Sequence, residues 1–201
     1  MAKAVRLQPH VDWDGNRLRV GVLVENRTGH KLPTAYPSRR MWLEILVKGV
    51  DGKVRWASGR ETPPAGQPHR DVIRNATETM VWEAVMADAS GAPTHTLLSA
   101  AQYAKDNRIQ PRGFRVGEWA IGAVGVNGDG DFRAGGDLVR YEVKLPDKPA
   151  SVAVRAWYQV IKPEHGMIIS SGKTAEMRTF ANLFSRHREA AQMAEVIVQV
   201  P

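Results

Sequence analysis

The chain has 201 residues, of which 43% are hydrophobic, 24% charged and 7% aromatic. That composition excludes intrinsic disorder and a membrane-embedded bundle, and no apolar run approaches the roughly 20 residues a spanning helix needs. Cysteine is absent, which excludes disulfides, zinc–thiolate sites, a Cys nucleophile and haem attached through C-x-x-C-H.

The net charge is +7, from 28 Lys+Arg against 21 Asp+Glu. The basic residues are spread, clustering only at Arg39–Arg40 and Arg186–Arg188. A nucleic-acid binder more often concentrates them in a stripe with interleaved aromatics, so no nucleic acid is expected; a negatively charged protein partner fits the charge equally well. The start, "MAKAVRLQPH", has no apolar core of a secretory signal. It is expected to belong to a cytoplasmic protein, a processed mature form or a fragment. One domain is expected over 1–201, since all-β sandwiches reach this length singly.

In chain order, "AVRLQPHV" and "RLRVGVLVE" flank a "DGN" turn and read as a hairpin. In the second of them Leu18, Val20, Val22 and Val24 face one way and Arg17, Arg19 and Glu25 the other, the period of a half-buried strand. "MWLEILVKG" turns through "DGK" into "VRWAS". "RETPPAGQPHRD", Arg60 to Asp71, reads as a Pro-rich surface loop, and "ETMVWEAVM" as another strand. "LVRYEVKLP" places Val139, Tyr141, Val143 and Leu145 inward, and "SVAVRAWYQVI" and "EVIVQV" follow as strands. Between those last two, residues 173–194 space Met177, Phe180, Ala181, Phe184, Ala191 and Ala194 mainly by three and four. That predicts one amphipathic helix lying on the sheets, with Thr174 as N-cap and Glu176 at the positive end of its dipole. About eight to ten short strands with one late helix predict an all-β, Ig- or fibronectin-like sandwich.

The connection "NRTGHKLPTAYPSRR", Asn26 to Arg40, is unusually specific. Gly29 suits a tight backbone step, and Pro33 and Pro37 stiffen the chain. Arg39 and Arg40 project to opposite faces once a strand begins. The segment serves either as a rigid crossover or as a ligand or partner surface.

"NRTGHKLPTAYPSRR" closely resembles a segment of many multihaem c-type cytochromes, N-x-T-G-H-K-x-P-T-G-x-P-x-R-R, followed there by a strand, a turn and Ser-Gly. "YAKDNRIQPRGF", Tyr103 to Phe114, looks like the K-D-N-R-I-x-P-x-G-F element of that family. "GDLVRYEV" and "AWYQVI" are similar to its later strands, so the resemblance covers nearly the whole chain. Ala35 departs from the usual Gly, and the haem-attachment motifs are missing. In that family the region is a haem-free, β-rich module. The resemblance therefore implies a periplasmic or extracellular setting and a haem-bearing partner or parent polypeptide. Within it His30 gains weight as an axial ligand to a partner's haem, and Lys31, Tyr36, Arg39 and Arg40 as contacts to propionates or acidic side chains.

"GVNGDGDFRAGGDL", Gly125 to Leu138, partly matches a calcium loop. Asn127, Asp129, Gly130 and Asp131 fall at positions 3, 5, 6 and 7, whereas positions 1 and 12 are glycines. The candidate ligands are Asp129, Asp131 and Asp137, with Asn127 supplementary; a Gly-Asp hairpin without an ion is the alternative. In "KDNRIQPRGF", Asp106, Asn107 and Arg108 read as a structural clamp. No nucleophile elbow, phosphate loop or H-x-x-x-H spacing is present, so a non-catalytic protein is expected. The expectation is an accessory or docking module of a multihaem cytochrome system. The alternative, motivated by the Gly-Asp loop and six tryptophans, is a calcium-stabilised adhesion or carbohydrate-binding sandwich.

Overall fold

The computed structural model describes residues 4–115 and 129–201. Two sheets pack face to face as a β-sandwich. The first has the order β1 (Val5–Asp14), β2 (Arg17–Asn26), β9 (Gly136–Lys144) and β5 (Val72–Ile73), antiparallel except for β5 on β9. The second runs β11 (Ala191–Gln199), β10 (Ser151–Gln159), β3 (Arg40–Lys48), β6 (Val81–Ala87) and β7 (Pro93–Thr94). β4 (Val54–Ser58) also pairs with β3, and β8 (Gln102–Asp106) with β6.

Alternation built the core as expected. Leu18, Val20, Val22 and Val24 from β2, and Val139, Tyr141 and Val143 from β9, meet Met41, Leu43, Ile45 and Val47 from β3 and Val152 and Val154 from β10. The reverse face of β3 is covered too. Trp42 stacks on Trp157 and donates its Nε1–H to Gly59 O at 3.0 Å, while Trp157 donates to Glu44 at 2.8 Å. All of β3 except its last residue is therefore buried.

The C-terminal region differs from the expected single helix over 173–194. Helix α1 (Pro163–Ser170) follows β10, with Pro at the start where its missing N–H costs nothing. Helix α2 covers only Ala175–Arg186, capped by Thr174, whose hydroxyl accepts from Met177 N at 3.2 Å. After His187 the chain is drawn back to the sheet: Gln159 Nε2 donates to Arg188 O at 2.8 Å, and Ala191 to Gln199 then pair with β10. Ala191 and Ala194 thus lie on a strand. α2 packs on α1 through Phe184 against Gly166; a Cβ at that glycine would stand 2.0 Å from the ring.

Candidate functional site

The two segments that carry the resemblance are one place in space. Asn26 is 1% exposed and is their pivot: its Nδ2 donates to His30 O at 2.6 Å and Ile109 O at 2.9 Å, and its Oδ1 accepts from Thr28 N and Oγ1. Leu32 and Ile109 exchange backbone hydrogen bonds at 2.8 Å. Lys31 Nζ lies 2.7 Å from Asp106 Oδ2, and Arg108 grips the same carboxylate while donating to Ala35 O. Burial opposes ionisation of Asp106, but Arg108 and Lys31 hold its carboxyl below the usual range. Gly29 has an ordinary φ; the left-handed step falls at Ala35, with φ 62°.

The expected contact residues divide sharply. His30 and Tyr36 are exposed and Arg39 is half-buried, its Nη1 donating to Thr34 O at 3.3 Å. Lys31 is engaged by Asp106. Arg40 must be removed from the expected surface: it is 0% exposed, donates to Gln159 Oε1 and Pro63 O, and lies over the Trp42 ring. Burial lowers its pKa, opposed by Glu164 and Glu83.

Arg40 belongs to an interior charge cluster with Glu83, Lys105 and Lys162. Lys162 Nζ reaches Glu83 Oε2 at 3.2 Å and Ala84 O at 2.8 Å; Lys105 Nζ reaches Glu83 Oε1 at 3.2 Å. Burial pushes both lysines down while Glu83 opposes it. Desolvation of Glu83 is outweighed by the two lysines and the Gly66 N–H, which keep it ionised. The Pro-rich segment 60–71 is strapped onto this cluster and is not a free loop. Arg40 binds Pro63 O, Glu164 accepts from Ala65 N at 3.0 Å, and Glu83 accepts from Gly66 N at 2.8 Å.

Beside the strap an apolar surface emerges that sequence reasoning missed. Tyr36 rests edge-on against His165 of α1, and His165 meets His95 with Nδ1 atoms 3.1 Å apart. Close along the chain from these three stand Leu97, Leu98, Met167 and Ile168, and Ser38 binds Val160 O. Tyr36 is 44% exposed, Leu98 99% and Met167 60%. Exposed large apolar side chains, on segments brought together by the Tyr36–His165 and His95–His165 contacts, are a feature of contact surfaces. Their positions, scattered across three separate stretches of the chain, left no local pattern to read.

The predicted calcium ligands are partly brought together. Asp129, Asp131 and Asp71 place carboxylate oxygens within 4.8 Å of one another, and Asp129 and Asp137 do so with His69; Asn127 lies outside the described residues. His69 and Asp71, which come from the strap, were not foreseen. Asp137 is fully buried, accepts from Trp82 Nε1 at 2.7 Å, and has its pKa pushed up to about 7 by burial and by Asp129, Asp131 and Asp71. Of the described tryptophans none is exposed: Trp42 and Trp82 are buried and Trp13, Trp56 and Trp157 half-buried. They offer no open sugar-stacking platform. Among the described residues, no helix is long and apolar enough to cross a membrane.

Neither a protein-family model nor a curated protein sequence matches the chain. Among solved structures, its fold is similar to that of a penta-heme cytochrome c552 from Thermochromatium tepidum, with a TM-score of 0.67 and 16% sequence identity. The match covers 99% of this chain and 40% of that protein. The chain thus shares its β-sandwich fold with two-fifths of a multihaem cytochrome.

Proposed function

We propose that the chain is a non-catalytic docking module of a multihaem c-type cytochrome system in an extracytoplasmic compartment, partnered with a haem-bearing subunit or parent polypeptide. The observation that carries this reading is the end-to-end fold likeness to part of a penta-heme cytochrome, in a chain without a cysteine to attach haem. The end formed by the 26–40 connection supplies the contact. Its backbone is held by Asn26 on His30 O and Arg108 on Ala35 O, which lowers the entropic cost of association. Tyr36, Leu98, Met167 and Ile168 form its apolar part, and Arg39 and the net +7 favour an acidic or propionate-bearing partner.

His30 lies exposed at this end, its backbone held by Asn26 and Thr28. It is the residue we assign to a partner's haem iron. Co-purification from an extracytoplasmic fraction tests the docking: a haem-staining multihaem partner is expected, its retention lost in Tyr36→Ser with Leu98→Ser. Recovery of haem-free partners alone overturns it. Haemin titration tests the ligand role separately, with a Soret band expected that His30→Ala removes.

A further inference from the structure

The cluster at the entrance to β9 carries more negative charge than its surroundings balance. Four carboxylates lie there in two groups joined at Asp129: Asp71 from the strap with Asp129 and Asp131 from the loop, and Asp129 with Asp137 from β9. Among the described residues only Arg140 brings a permanent positive charge within ion-pair distance, and it is divided between Asp71 and Asp131. Two of the carboxylate oxygens, Asp131 Oδ1 and Asp137 Oδ1, are buried with no hydrogen-bond partner. Asp137 itself is 0% exposed, so its free oxygen has no water to turn to. A buried acceptor without a donor costs about 1–3 kcal/mol, unless a cation takes its place.

The class of cation follows from the histidine. Asn107 Oδ1 accepts the Glu83 N–H at 3.0 Å and its Nδ2 donates to Val81 O at 2.8 Å, which fixes which way the amide faces. The other Nδ2 hydrogen then points at His69 Nδ1, 3.1 Å away. That nitrogen must accept, so the ring proton sits on Nε2 and is donated to Asp129 Oδ2 at 2.8 Å. Nε2 therefore has no lone pair to offer a metal. With nitrogen excluded the donors are all carboxylate, the preference of a hard ion. Oxygens bound to one calcium ion, each at about 2.4 Å, stand no more than about 4.8 Å apart; those of Asp71, Asp129 and Asp131 lie within that reach of one another, and so do those of Asp129 and Asp137.

We propose that Asp71, Asp129, Asp131 and Asp137 bind one calcium ion through oxygen alone, with His69 serving as a hydrogen-bond donor that orients Asp129. The ion joins the strap to the first sheet, since its ligands come from both.

Calorimetric titration of the EDTA-dialysed chain with CaCl2 is the test, paralleled by Tb3+ emission sensitised through Trp82, whose indole already touches Asp137. The expected result is saturable one-site binding, Tb3+ emission displaced by calcium, and a Tm that rises with calcium. Asp137→Asn weakens calcium binding roughly tenfold or more; Asp131→Asn, at a partly exposed position, does the same should the first variant not fold. His69→Gln, which keeps a donor but has no imidazole nitrogen, still binds calcium and weakens that binding less than Asp137→Asn does. Absence of calcium heat and of Tb3+ emission overturns the proposal. So does an Asp137→Asn protein whose Tm rises equally with and without calcium, the mark of relieved repulsion alone. Zinc bound through His69 with calcium silent overturns the all-oxygen assignment.

Discussion

The Asn26 side chain donates to the carbonyl of Ile109 at 2.9 Å, joining two segments 83 residues apart. With Lys31 on Asp106 it makes the connection after β2 and the exit from β8 one rigid unit. Asn26→Ala leaves the carbonyls of His30 and Ile109 and the Thr28 amide without their partner. A loss of about 2–3 kcal/mol in unfolding free energy is expected, read as a lower urea midpoint with unchanged m. A loss below about 0.5 kcal/mol would show that water replaces the amide.

Ala35 carries φ 62°, a conformation that disfavours a Cβ by about 1–2 kcal/mol. Ala35→Gly removes that penalty and gives back part of it as chain entropy. The net expectation is a gain of about 0.5–1 kcal/mol, seen as a higher Tm.

His165 is held neutral, its pKa pushed down to about 4 by burial, then by His95 and Lys162. In the unfolded chain it titrates near about 6.5, so between those values the unfolded state binds more protons. Stability is therefore fully present above about pH 6.5 and falls as the pH drops toward 4, by on the order of 3 kcal/mol. Urea unfolding across that window should show this slope, and His165→Asn should flatten it.

Gly166 leaves space for the Phe184 ring, which a Cβ would meet at 2.0 Å. Gly166→Ala expels the only buried side chain of α2. A loss of about 1–3 kcal/mol is expected, concentrated in α2. Hydrogen exchange should show 175–186 deprotected while β2 and β10 stay protected.

The strands were legible because their side chains alternate: every inward residue expected from β2 and β9 is in the core. The helix was misjudged at its end because Ala191 and Ala194 satisfy either period, and only the Gln159–Arg188 bond and pairing with β10 decide for a strand. α1 escaped notice because eight residues with a glycine inside them carry little periodic signal. The interior charges were illegible for another reason. Arg40 and Glu83 sit at strand positions that would face water, and are buried because the strap lies over them. The same strap delivers His69 and Asp71 to the Asp129 cluster across 60 residues or so of sequence, a distance no spacing rule spans.

A proline-rich connection would ordinarily be the first choice for inserting a tag or a cleavage sequence. Here residues 63–66 cover a buried ionic cluster, with carbonyl and amides turned inward onto Arg40, Glu83 and Glu164. Lengthening that stretch lets water onto Arg40 and the Glu83–Lys105–Lys162 pairs, whose attraction is strengthened by burial, so the tolerant insertion point is the exposed Asp51–Gly52 turn instead.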